Sequence, residues 1–318
     1  MGDFRIGVAA GGGSGAEVVQ RIERLEDLGV TAAWLTTAGA GPDGPTILSA
    51  AAARTERILL GTSIVPTWPR HPVVQVQQAQ VIASLAPGRF RLGIGPSHKR
   101  IIERVYGIPF DSPMEHFREY FEVVKTLLQE GRVDFDGATY KAHASIPEAL
   151  PNVPVMASAL QRGSYEFSGA HADGAISWMC PLPYLRDVAL PAMQEGARDA
   201  GRQAPPLIAH IPATVYADAD EVRESSQRQF GNYVRLPFYN RMFAASGYPE
   251  AGETQQWSAR MVDEIVAYGS EERVAERISE AFNWGASEVL VTILEVGADP
   301  RETWERTAAL LGNLSASG

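Results

Sequence analysis

"ILLGTSIVPTWPRHPVVQVQQAQVIASLAPGRFRLGIG", residues Ile58–Gly95, is the stretch that decides the fold. It opens with Ile58, Leu59, Leu60, Ile64 and Val65, an apolar and partly β-branched run of the kind a buried strand uses. The run stops at a rigid corner, where Pro66, Pro69 and Pro72 surround Trp68, Arg70 and His71. A helical pattern then begins with Pro72 in its first turn, where a missing N–H costs nothing. It reaches Ala86, and a second apolar run follows at Phe90–Ser97. Strand, helix and strand in that order join two parallel strands of one sheet.

The same unit recurs in both directions. Upstream lie a strand at Phe4–Ala10, a helix at Gly15–Val30 with Val18, Ile22, Leu25 and Leu28 at helical spacing, a strand at Ala32–Thr37 and a helix at Gly44–Arg57. Downstream come a helix at Met114–Gly131 and strands at Val153–Ala159, Gly174–Met179, Pro206–Asp218 and Ala286–Leu294. Helices alternate with these strands, and a last one starts at Pro300. Eight near-continuous apolar strands imply an all-parallel sheet covered on both faces. Eight also closes a ring, so the expectation is an α/β fold of the (β/α)8 TIM-barrel type, one domain over residues 1–318. A doubly wound open sheet is the competing arrangement, but "AAGGGSG" after the first strand lacks the GxGxxG spacing. Two insertions interrupt the alternation. One, about 131–152 after the fourth strand, reads as a hairpin turning at Asp136-Gly137. The other, about 217–285 after the seventh, is long enough to form a lid and a substrate wall.

The chain has 318 residues, 45% of them hydrophobic and 21% charged, an ordinary globular balance. A net charge of −10 argues against nucleic acid as a partner, since phosphate backbones select basic faces. No run of residues has the length and apolarity of a membrane span, and the first residues carry no basic, leader-like segment. A soluble cytoplasmic protein acting on a small molecule is expected. Cys180 is the only cysteine, so no disulfide forms within the chain, and it reads as a packing or mouth-lining residue.

In a βα barrel the active site gathers at the C-terminal ends of the strands. That rule selects Thr36 and Thr37, the corner from Ser63 to His71, the run from Gly95 to Lys99, the turn from Ala157 to Arg162, Trp178, and His210 to Thr214. These positions hold no HExxH, no CxxC and no carboxylate cluster, so no metal is expected. There is no GxSxG elbow either. A mouth of small, polar and aromatic residues suits a cofactor that carries its own reactivity. Ala157, Ser158 and Ala159, then Leu160, Gln161 and Arg162, lead into a helix whose first amides would suit an anion; a tight packing turn is the equal alternative. His98 reads either as a proton-transfer group or as a helix-start residue. His71 reads as a helix start and His210 as core, while His116, His143 and His171 read as structural or exposed.

"LGTSIVPTWPRHPVVQVQQAQVIASLAPGRFRLGIGPSHK", "REYFEVVKTLLQEGRVDFDGATYK" and "PVMASALQRGSYEFSGAHADGAISWM" together resemble the luciferase-like flavin-dependent oxidoreductase superfamily. The pairing of "PRHPVV" with "LGIGPSHK" is most similar to the branch that uses the deazaflavin coenzyme F420. The resemblance implies a TIM barrel with the cofactor ring across the strand ends. It implies a non-prolyl cis peptide at Ser63-Ile64, with Ser63, Ile64 and Val65 behind the ring and Gly95 and Ser97 beside it. It places phosphate contacts on Ala157, Ser158, Ala159, Leu160, Gln161 and Arg162, and a catalytic polar residue on His98. Thr36, Thr37, Trp68 and Trp178 would shape the substrate pocket. Several deazaflavin members carry an acidic–histidine pair where this chain has Thr36 and Thr37, so a sugar-phosphate reaction through that pair is not implied. The expected function is hydride transfer between reduced F420 and a small organic substrate. An FMN-dependent monooxygenase using molecular oxygen is the alternative, and a non-catalytic flavin-binding barrel a third reading. A homodimer is expected by family analogy.

Overall fold

The computed structural model describes residues 5–316. Phe4 of the expected first strand and the last two residues of the "SASG" tail lie outside them. The strands are β1 (Arg5–Ala9), β2 (Ala32–Leu35), β3 (Leu59–Thr62), β4 (Val65–Pro66), β5 (Phe90–Gly95), β6 (Arg132–Asp136), β7 (Lys141–Ser145), β8 (Val155–Ser158), β9 (Ala175–Ile176), β10 (Leu207–Thr214), β11 (Ala267–Tyr268) and β12 (Glu288–Ile293). The main sheet runs β11-β10-β12-β1-β2-β3-β5-β8-β9, and β9 also pairs with β10. That second pairing closes eight strands into a parallel barrel, with helices in the connections, as the alternation predicts. β3 and β4 are the single strand expected at Ile58–Thr67, divided at Ser63-Ile64, where the peptide is cis. The hairpin β6–β7 forms antiparallel with Phe135 opposite Ala142.

The chain divides into two compact units. One holds Ala10–Arg24 and Ala33–Ser158. Its strands meet in parallel, with Leu60 opposite Phe90, Val65 opposite Ile94 and Ile94 opposite Ala157. Trp34, Leu60, Leu92, Ile94 and Val155 are fully buried. The helices start where local chemistry asks. Asp43 caps Gly44–Ala52 by accepting from the Thr46 amide at 3.0 Å, and Pro45 fills the first turn. His71 caps Pro72–Leu85 through Nδ1, so it is the helix-start residue its position suggests. His98 does start a helix, Lys99–Tyr106, closed by Gly107 at φ 67°; with only two turns it is too short for its extent to show as a periodic signal.

Of the described residues, the other unit holds 5–9, Leu25–Ala32 and 159–316. Here Ile6 lies opposite Val289, His210 opposite Leu290 and Ile208 opposite Ile176. The helices Arg162–His171 and Leu190–Asp199 cross at two glycines. A Cβ on Gly169 would run into the Met193 carbonyl, and one on Gly196 into the Glu166 carbonyl. The long insertion folds as the helices Ala219–Phe230, Pro237–Ala245, Glu250–Thr254, Ala259–Ile265 and Glu271–Asn283, with the helical turn Tyr233–Arg235 and the strand β11 among them.

Candidate functional site

In the first unit, strand-end residues named from the sequence come together around Ser63. The Ser63 amide donates to the Leu35 carbonyl at 2.9 Å, and the Thr37 amide to the Ile64 carbonyl at 3.2 Å. The Thr36 hydroxyl donates to the Ser63 carbonyl at 2.6 Å. The Thr37 hydroxyl accepts from the Gly44 amide at 3.1 Å. Both threonines therefore brace the corner and the helix after it. Gly95 has no room for a side chain: a Cβ there would overlap the Ser158 hydroxyl and press on Ile64. Thr36, Thr37, Ser63, Ile64, Gly95 and Ser158 thus form one small-residue cluster at the ends of β2, β3, β5 and β8. Ser63 is 8% exposed, and its Oγ has no hydrogen-bond partner.

Ser97 follows in the left-handed region at φ 60°, and His98 begins the helix Lys99–Tyr106 without capping it through its side chain. A left-handed non-glycine residue at a strand end marks a constrained loop. Burial lowers the His98 pKa from its ordinary value, so the ring is neutral at pH 7.

Trp68 belongs to a second arrangement. Its ring stacks on His116 at 3.6 Å and lies 5.1 Å from Phe110. His116 is 2% exposed and bonds to the Thr67 hydroxyl at 2.9 Å and the Tyr140 hydroxyl at 3.4 Å. The sequence reads this histidine as structural or exposed, and the structural alternative holds. It is buried, and burial pushes its pKa down to about 4 despite the nearby Glu119. The clue was spacing: His116, Phe117, Tyr120 and Phe121 fall on one helical stripe.

In the second unit the turn after β8 is tightly wired. The Ala159 amide donates to the Ile176 carbonyl at 2.9 Å. The amides of Leu160 and Gln161 both donate to the Ser164 hydroxyl at 3.0 Å, and the Tyr184 hydroxyl donates to the Leu160 carbonyl. The Gln161 side chain reaches the Phe238 carbonyl at 2.7 Å. Arg162 is held by Glu166 at 2.7 Å and by Glu195. Trp178 and His210 meet at 4.1 Å. Cys180 is buried beside the Tyr165 hydroxyl, and burial pushes its thiol up to about 12. No group of three or more His, Cys, Asp and Glu side chains among the described residues could hold a metal ion, and no described helix is long and apolar enough to cross a membrane.

A family model described as luciferase-like monooxygenase matches residues 3–288. The chain belongs to that family. Among luciferase-like relatives, an F420-dependent glucose-6-phosphate dehydrogenase of Beutenbergia cavernae is 35% identical over 200 residues, which are 60% of this chain and 58% of that protein. The chain spans 58 to 60% of the length of the first curated relatives it matches. Two solved structures share the fold. The coenzyme F420-dependent tetrahydromethanopterin reductase of Methanopyrus kandleri has a TM-score of 0.77 at 21% identity, covering 98% of this chain and 97% of its own. The oxygenating constituent of 3,6-diketocamphane monooxygenase of Pseudomonas putida, in complex with FMN, has a TM-score of 0.74 at 16% identity, covering 99% and 98%.

Proposed function

We propose that the chain is an F420-dependent oxidoreductase that passes a hydride between reduced F420 and a small organic substrate at the strand ends. The observation that carries this reading is the Ser63 hydroxyl, buried and unpartnered, next in sequence to Ile64, which faces the bare backbone of Gly95. An unsatisfied buried hydroxyl costs about 1–3 kcal/mol, and the polar edge of a flat ring would satisfy it. The cofactor in the name of the Beutenbergia relative fits that requirement.

Ser63, Ile64 and Val65 would back the ring, with Gly95 and Ser97 beside it. The turn from Ala157 to Arg162 would receive the phosphate. Since Ser164 takes the Leu160 and Gln161 amides, and two carboxylates take the Arg162 guanidinium, the backbone amides of Arg162 and Gly163 are the donors left to this role. Bound there, F420 supplies two-electron hydride chemistry. His98, neutral at pH 7, accepts a proton from a substrate being oxidised and returns it in the reverse direction. Thr36 and Thr37 are hydrogen-bonded to backbone groups and serve as braces.

Titration with F420 and with FMN tests the reading, followed by cofactor fluorescence. F420 binds, and Ser63→Ala weakens it several-fold. Tight FMN binding without F420 binding overturns the proposal in favour of an FMN-dependent monooxygenase. A homodimer is proposed with it. The helix Pro72–Leu85 carries no charged residue and exposes Val74, Val81 and Leu85 on one face, which supports self-association. Sedimentation at micromolar concentration tests that state.

A further inference from the structure

Trp178 lies two residues beyond β9 and is half-exposed. The long insertion brings an aromatic wall to it. Phe230 meets its ring at 5.7 Å and 85°, and Tyr233 at 5.8 Å and 74°. Behind them Tyr233 packs on Tyr239 at 4.9 Å, Phe243 on Trp257 at 5.7 Å and Phe230 on Trp257 at 6.3 Å. Trp178 and Tyr233 are the half-buried pair of this wall. What the pair offers a ligand is ring face and ring edge. The next residue, Met179, holds a left-handed backbone at φ 54°, with its amide donating to the His210 carbonyl at 3.2 Å. A side chain disfavours that conformation, and here it fixes the chain direction beside Trp178.

Charge is scarce on this wall. His210, under the Trp178 ring, is 5% exposed and shares a hydrogen bond with the Thr292 hydroxyl at 2.8 Å. Burial pushes its pKa down to about 3, so it is uncharged. Arg228 pairs with Glu224 at 3.1 Å, and Arg241 lies over Phe238 at 4.8 Å. Arg235, exposed on the turn Tyr233–Arg235, and Arg241 are the cations an anionic substrate would have to recruit. Placing a phosphate against ring faces strips its water with little in return, whereas a neutral flat molecule gains stacking at no such cost.

We propose that the substrate of this mouth is an uncharged, flat, largely apolar molecule that stacks on Trp178 with Tyr233 at its edge. The proposal rests on the strand-end active site of the preceding section and adds its substrate class.

The test uses a matched pair of probes, 2-naphthol and 2-naphthyl phosphate, titrated calorimetrically into the full chain. 2-Naphthol binds at least tenfold more tightly than its phosphate ester, Trp178→Ala weakens it at least tenfold, and Arg235→Gln leaves it unchanged. Equal or tighter binding of the phosphate overturns the proposal, and so does a folded Trp178→Ala protein that binds 2-naphthol like the wild type. If that variant does not fold, the probe pair on the wild type decides alone. F420 binding is followed separately by its own fluorescence. Loss of F420 binding with the naphthol preference intact removes the cofactor reading only; F420 binding with a preference for the phosphate removes this one only.

Discussion

The Trp68 indole lies flat on the His116 imidazole, with ring centroids 3.6 Å apart and planes within 4°. Burial favours the neutral imidazole, and the His116 nitrogens are engaged by the Thr67 and Tyr140 hydroxyls. Protonating it would bury a charge inside the unit.

Acid therefore weakens the fold through His116. Its folded pKa of about 4 lies below the ordinary value of 6.5, so the unfolded chain takes up a proton first. This contribution to stability is complete above about pH 6.5 and is lost as pH falls towards about 4, by roughly 3 kcal/mol. His116→Gln removes the dependence in that window. Urea unfolding of both proteins at about pH 7 and pH 4.5 measures it: the variant should lose less stability on acidification, and equal losses count against the assignment.

His98 is expected to act while neutral, because burial lowers its pKa. For oxidation of an alcohol-type substrate, kcat/KM should then fall on the acid side of a pKa below 6.5. His98→Asn should lower kcat by about 10²–10⁴-fold and flatten that limb. A variant with the wild-type acid limb would move the base elsewhere.

The barrel was legible because each strand is an apolar run punctuated by glycine or proline, and β5 and β10 form inside the expected runs, β5 ending at Gly95 and β10 at Thr214. β9 was not. The sequence suggests Gly174–Met179, but only Ala175 and Ile176 are regular strand, because Met179 turns left-handed. The edge survives in part, with the Ser177 and Met179 amides still donating to β10. Among site residues, the closeness of Ile64, Gly95 and Ser158 depends on three separate strand ends, which no local pattern encodes. Arg162 shows how charge alone under-reads a position. Its charge suggested an anion contact, but Glu166 sits one turn along the same helix, an i,i+4 pairing readable in the sequence.

Cys180 should be inert. Its thiol is buried and pushed up to about 12, so almost no thiolate exists at pH 8. The native protein should resist a disulfide-exchange reagent such as dithionitrobenzoate for as long as it stays folded, and react once denatured. Stoichiometric release of thionitrobenzoate within minutes from folded protein would contradict the burial.

Gly95 and Ser158 should be coupled. A methyl on Gly95 overlaps the Ser158 hydroxyl first and presses on Ile64 second. Gly95→Ala should cost about 1–3 kcal/mol through overpacking, and should weaken F420 binding by displacing Ser158 or Ile64. Ser158→Ala removes the nearer obstacle but keeps its Cβ, so the double variant should recover part of the loss. The cycle should show a favourable coupling of about 0.5–1.5 kcal/mol by denaturant unfolding. Additive effects would mean that the clash is relieved through Ile64 instead. In that case F420 affinity should fall equally in the single and double variants, because Ile64 belongs to the segment proposed to back the ring.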